Sequence, residues 1–398
     1  MYISPRINSV PPSPIRSLIP YADEAKKRGI HVFHLNIGQP DIETPQIFFE
    51  YVKNYSSKVL SYSPSNGIPE LREKFCHYYE DFDIIVSPDE LIVTNGGSEA
   101  VLFALATVAD PGDEVLVIEP FYANYLGFAR TLGITLVPVT SKPETGYAMP
   151  EIEEFEKKIT PRTRALLFSN PSNPTGSVYG RNELETLVEM ARRHSLFVIS
   201  DEVYREFVFD GREAVSILSF DYEGAIMVDS VSKRYSACGA RIGVLATKNR
   251  EVLSQVMKLA QSRLSPPTLA QIGTLGLLEL GEDYREKIRQ EYKHRRDVAC
   301  NELSKIEGAV FHPPKGAFYV SVKLPVSDAR DFVRWMLTDF EYRGTTTMVA
   351  PLDGFYATEN AGRSEVRVAF VLGEEKLRQA CEVLRIGLES YLRRCGNC

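Results

Sequence analysis

Four short stretches hold residues able to do chemistry. "SVSKRYSACGARIG" (230–243) sets Lys233 beside the hydroxyls of Ser230 and Ser232 and supplies a second cation, Arg241, eight residues on. "SDEVYREF" (200–207) offers Asp201 and, three residues later, Tyr204. "SNPSNPTG" (169–176) holds Asn173 in a proline-rich turn, and "TNGGSEA" (94–100) sets Gly96 and Gly97 before Ser98. A lysine amine becomes a nucleophile once desolvation and neighbouring cations lower its pKa. Small residues opening a helix let unpaired backbone N–H groups approach an anion, which the helix dipole also favours. The set therefore suits covalent chemistry by Lys233 next to a bound anion.

Each stretch follows a short apolar, β-rich run: "ELIVT", "ALLFSNP", "FVISDE" and "AIMVDS". Helix-like segments such as "GSEAVLFALATVA" and the amphipathic "ELETLVEMARRHS" alternate with them. Strands buried on both faces read as continuous apolar runs, and this alternation predicts an α/β fold, a mostly parallel sheet with helices on both faces. Ligands in such sheets collect beyond the carboxyl ends of the strands, where all four stretches fall. Taken singly, the glycine pair could be only a turn, Asp201 a helix cap and Lys233 a surface lysine. Their joint occurrence at successive strand ends favours a site.

After about residue 285 the pattern changes. "YREKIRQEYKHRRDVACNELSKI" is a long charged helix, followed by the short strands "GAFYVSVKL" and "EVRVAFVL" and the closing helix "EEKLRQACEVLRIGLESYLRR". The expected organisation is an N-terminal arm over 1–45 that joins part of a small domain, a large ligand-binding domain over 46–285, and a small α+β domain over 286–398. A chain of 398 residues is long enough for two lobes.

Composition excludes several classes of function. Apolar residues make up 44% and charged residues 25%, with a formal net charge of −7, so nothing marks a nucleic-acid surface. No apolar run has the length of a membrane span, and the start lacks the apolar core of a signal peptide, which predicts a cytoplasmic protein. The histidines show no metal-ligand spacing, so no metal is expected. Cys395 and Cys398, in the terminal "CGNC", have redox or metal spacing but no second pair.

"SNPSNPTGSVYG", "SDEVYREFVFDG" and "SVSKRYSACGARIG" closely resemble signatures of the class I aminotransferases, pyridoxal-phosphate enzymes of fold type I. "LNIGQPDIETP", "YSPSNGIPELREKF", "PPKGAFYV" and "EVRVAFV" match further family segments in order, from about residue 30 to the end. The resemblance implies that Lys233 forms the Schiff base with the cofactor and then moves the substrate's α-proton. It implies that Asp201 pairs with the ring nitrogen and that Tyr204 and Asn173 donate to the ring's phenolic oxygen. Gly97, Ser98, Ser230 and Arg241 match the phosphate cup, with Ser232 beside it, and Tyr122 matches the aromatic residue stacked on the ring. Arg367, with the Gly38 backbone, matches the clamp on the substrate α-carboxylate, where a planar guanidinium bonds in two places at once. Tyr62 matches a tyrosine that crosses to the neighbouring subunit's phosphate, implying a homodimer with shared active sites.

The implied reaction moves an amino group between an L-amino acid and a 2-oxo acid, with aspartate and 2-oxoglutarate expected first. The distal carboxylate of such substrates needs another cation, which in one subgroup is an arginine lent by the partner subunit; the matching positions here hold Ala260 or Gln261, and Arg263, in "QSRLSPPT", is the nearby substitute. Aromatic, alanine or broad specificity stays open, as does a C–S lyase on the same fold. A cofactor-sensing regulator of DNA fits poorly, since only about thirty residues precede the first matching segment.

Overall fold

The computed structural model describes residues 1–396, with side chains through Arg394, so the Cys395/Cys398 pair lies outside the described side chains. The N-terminal part holds the helix Ile19–Lys27 and strand β1 (His31–His34). The central part supplies β2 (Leu91–Thr94), β3 (Glu114–Glu119), β4 (Thr135–Thr140), β5 (Thr163–Ser169), β6 (Phe197–Asp201), β7 (Ala225–Ser230) and β8 (Gly243–Ala246). β9 (Tyr319–Lys323), β10 (Thr345–Met348), β11 (Ala350–Pro351) and β12 (Glu365–Ala369) follow near the C-terminus. Among the described residues no helix is long and apolar enough to cross a membrane.

β2 to β8 form one sheet in the order β2-β8-β7-β6-β5-β3-β4. All neighbours run parallel except β8, which is antiparallel to both β2 and β7. Every residue of β3 and β7 is buried, as their unbroken apolar runs predict, because helices cover both faces. On one face Gly97–Val108 and Arg250–Ser262 pack over Ile199, Ile226 and Val228; on the other, Pro69–Glu80 and Arg181–Arg193 pack over Leu166, Val198 and Met227. β4 sits at the sheet edge, where Pro138 leaves no ladder hydrogen bond unmade. The fold is the α/β architecture expected.

The second lobe combines both ends of the chain. β1 pairs in parallel with β10, and β9, β12 and β11 form an antiparallel sheet. One apolar core joins Leu18, Ala22, Val32 and Leu35 to Val320, Phe332, Val368 and Leu384. That packing brings the N-terminal segment over the carboxyl ends of the central strands.

A buried ionic cluster lies under the same strand ends. Asp229, fully buried near the end of β7, accepts from both ends of the Arg234 guanidinium, at 3.1 and 2.8 Å, and from Arg205 at 3.3 Å. The Tyr79 hydroxyl donates to it at 2.9 Å. Arg205 also donates to Glu202 at 2.7 Å, tying in the residue that follows β6. Burial acts to raise the Asp229 carboxyl pKa, but the two guanidiniums outweigh it and hold the group below the usual carboxylate range. Removing one charge from such a cluster strands the others in a low-dielectric interior. Asp229→Asn is therefore expected to lower stability by about 3–5 kcal/mol, read as a lower urea midpoint; a loss under about 1 kcal/mol would show that the cluster relaxes without it.

Candidate active site

Side chains from both lobes line one cavity of about 640 Å³ at the carboxyl ends of β5, β6 and β7. Lys233, just past β7, reaches across the lobes and donates from Nζ to the Gly38 carbonyl at 2.9 Å. Cys238 Sγ stands 3.9 Å from the same nitrogen. Gly38 packs so closely on Tyr319 that a Cβ there would lie 1.7 Å from the phenol oxygen. Only glycine fits at that position.

An anion cradle forms one end of the cavity. Gly96, with φ of +79°, turns the chain out of β2, and the helix Gly97–Val108 begins at once. A Cβ on Gly96 would lie 2.2 Å from Nη2 of Arg241. Arg241 itself has a left-handed backbone, φ 58°, and donates to the carbonyls of Cys238 at 3.1 Å and Asn95 at 3.3 Å. Gly97, Ser98, Ser230 and Ser232 line the same end, with the two last hydroxyls 2.7 Å apart. Helix N–H groups, hydroxyls and a guanidinium together fit a phosphate group.

Asp201 ends β6 at 8% exposure. Its carboxylate accepts from the Tyr125 hydroxyl at 2.6 Å and the Val203 N–H at 3.3 Å, and among the described residues no cation pairs with it. Burial pushes its pKa up to about 6, against the pull of those two donors. Arg367, on β12, is the converse case at 1% exposure. Its guanidinium donates to Asn173 Oδ1 at 2.8 Å and the Asn36 carbonyl at 2.6 Å, and lies 4.3 Å over the Tyr319 ring. No carboxylate pairs with it among the described residues, and its buried Nε has no partner. The cavity thus holds an uncompensated anion and an uncompensated cation that do not neutralise each other. A ligand carrying a proton donor toward Asp201 and a carboxylate toward Arg367 satisfies both.

Tyr204 and Tyr319 share a hydrogen bond at 2.8 Å, and Tyr122 accepts from Asn124 at 2.7 Å, with both pairs facing the cavity. Burial raises the Tyr122 phenol to about 12. Two residues singled out from the sequence lie elsewhere. Tyr62 is 79% exposed and outside the cavity lining. Arg263 also does not line the cavity: it sits 3.4 Å from Glu99 and donates to the carbonyls of Ser65 and Val93 at 3.2 and 3.3 Å. Conversely, Tyr125, Tyr319, Asn36 and the wall Ser13–Ile19 were not singled out. Tyr125 lies three residues after Tyr122, in the first turn of the helix Asn124–Leu132, with the two ring centroids 5.6 Å apart, and Tyr319 lies inside the quoted "PPKGAFYV".

The family profile of aminotransferase class I and II matches residues 30–384. This chain belongs to that family. It is 34% identical over 389 residues to a probable aspartate/prephenate aminotransferase of Thermus aquaticus, covering 96% of this chain and 97% of the relative. It is 32% identical to aromatic-amino-acid aminotransferase 2 of Thermococcus litoralis, covering 96% and 97%. A solved mutant of Thermus thermophilus aspartate aminotransferase superposes with a TM-score of 0.88 at 32% identity, over 97% of this chain and all of that one. The aminotransferase fold and reaction class inferred from the sequence motifs agree with these relatives.

The raised Asp201 pKa gives a prediction for this aminotransferase without any ligand. The folded state keeps a proton that the unfolded chain releases near pH 4, so stability falls as pH rises from about 4 to about 6. In cofactor-free protein, Asp201→Asn should be more stable than wild type above pH 6, by something on the order of 2 kcal/mol. The difference should vanish below pH 4 in urea titrations across that range. A constant difference at every pH would mean that Asp201 is not the titrating group.

Proposed function

We propose that this aminotransferase uses pyridoxal phosphate, acts as a cytoplasmic homodimer, and moves the amino group between aspartate and 2-oxoglutarate. The observation that carries the reading is the pair of buried, uncompensated charges, Asp201 and Arg367, in one cavity with Lys233 and an anion cradle. When bound, pyridoxal phosphate supplies an aldehyde for the Lys233 amine and a ring that takes up electron density from the substrate's α-carbon. Arg241, Ser98, Ser230 and the Gly97 N–H hold the phosphate. Asp201 would accept from the ring nitrogen and keep its proton in place, Tyr204 and the Asn173 amide would donate to the ring's phenolic oxygen, and Tyr122 would pack against the ring. Arg367 and the Gly38 backbone orient the substrate by its α-carboxylate, and the Lys233 amine carries the α-proton.

Val59, Leu60 and Tyr62 are exposed apolar side chains in one short stretch, which suits cover by a second copy of the chain with Tyr62 serving that copy's phosphate. A second reading, aromatic amino acids as substrates, draws on Ile15, Ile19, Ile37, Val101 and Phe128, which give the cavity an apolar wall.

The reading is tested by borohydride reduction of the cofactor-loaded protein and peptide mapping, where Lys233 should carry the label; a label on another lysine overturns it. Lys233→Ala should lose the absorbance of the protein-bound cofactor and all turnover of aspartate with 2-oxoglutarate. Arg367→Ala should lower kcat/KM roughly a hundredfold for every amino acid, because each carries the α-carboxylate.

A further inference from the structure

The cavity has four cationic side chains and a single carboxylate, Asp201. Three of the cations have fixed positions: Lys233 on the Gly38 carbonyl, Arg241 on the carbonyls beside the glycine turn, and Arg367 on Asn173 and Asn36. The fourth is Arg16, whose guanidinium has no hydrogen-bond or ion-pair partner among the described residues. It stands on the N-terminal wall, where its apolar neighbours Ile15 and Ile19 also line the cavity.

The segment that carries Arg16 is fixed in place. Arg16 N and Ser17 N both donate to the Ser13 carbonyl, at 3.1 and 2.9 Å, which winds the stretch into a turn. Leu18 is buried in the core of the second lobe, and the Ser17 hydroxyl accepts from Arg330 at 3.3 Å. Asn36 ties the segment directly to Arg367: its side-chain amide donates to the Ile15 carbonyl at 3.4 Å, while its backbone carbonyl accepts from the Arg367 guanidinium at 2.6 Å. One residue thus sets the distance between the α-carboxylate clamp and the backbone just before Arg16.

We propose that Arg16 selects substrates with a second carboxylate at the far end of the side chain, taking the place in the specificity pocket for which Arg263 is the sequence-based candidate. The proposal rests on the aminotransferase reading, in which Arg367 holds the first carboxylate. Within the chain Arg263 is engaged by Glu99 and two backbone carbonyls, and among the described residues the cavity-lining cation without a partner is Arg16. A guanidinium at the cavity rim binds a carboxylate with both planar donors, and its hydration is the only competitor it must lose.

Calorimetric binding of succinate and butyrate to the cofactor-loaded enzyme tests this without turnover, since the two acids differ by the distal carboxylate. Wild type should prefer succinate, Arg16→Ala should lose most of that preference, and Arg16→Lys should keep part of it. In turnover, Arg16→Ala should lower kcat/KM for aspartate and glutamate roughly ten- to a hundredfold relative to alanine. Equal binding of the two acids by wild type overturns the proposal, as does an unchanged preference in Arg16→Ala or its abolition by Arg263→Ala instead. If the succinate preference depends on Arg16 but wild type transaminates no amino acid, the aminotransferase reading fails and the carboxylate site stands.

Discussion

Asp229 between Arg205 and Arg234 is the interaction on which the geometry of this protein depends. Asp229 lies near the end of β7, Arg205 in the segment that leaves β6 and Arg234 in the segment that leaves β7, so one buried cluster fixes the strand end that carries Asp201 and the loop that carries Lys233. Arg234 is the residue next to Lys233, and its bidentate hold on Asp229 leaves the neighbouring amine to point the other way, toward Gly38. Charge that is fully matched within the fold gives rigidity. Charge left unmatched in the cavity, at Asp201 and Arg367, gives a demand for ligand. The same low dielectric produces both effects, and the presence or absence of a partner decides between them.

The central sheet is legible in the sequence wherever a strand is a continuous apolar run closed by a turn, as in "AIMVDS" and "EVLVIEP". β8 is harder to read. It has four residues, all buried, and nothing in "GVLA" distinguishes a parallel strand from the antiparallel one inserted between β2 and β7. β4 is obscured by Pro138, which is acceptable only because the strand lies at the edge.

In the site, residues placed at strand ends are legible by type and position: Lys233, Asp201, Asn173 and Arg241 all line the one cavity. Residues that act through tertiary contact are not. Asn36 contributes its backbone carbonyl to Arg367, and no side-chain identity announces that role. Tyr319 matters through its contacts with Gly38, Tyr204 and Arg367, three partners distant in the chain. Arg263 is a cation in the right neighbourhood of the sequence that, within one chain, sits against Glu99 rather than in the cavity lining.

The wall Ser13–Ile19 has a wider consequence. Lys233, Asp201 and the glycine turn stand at the central strand ends, whereas Ile15, Arg16 and Ile19 reach the same cavity from one short segment in the N-terminal part. In the proposed reading, preference and reactivity are therefore written in separate parts of the gene. Substitutions in a handful of codons can redirect which amino acid is accepted while the reactive groups stay under undisturbed selection. Such a division lets a lineage diversify by drift at its edge, and it accords with relatives of about equal similarity that carry names as different as aspartate/prephenate and aromatic-amino-acid aminotransferase.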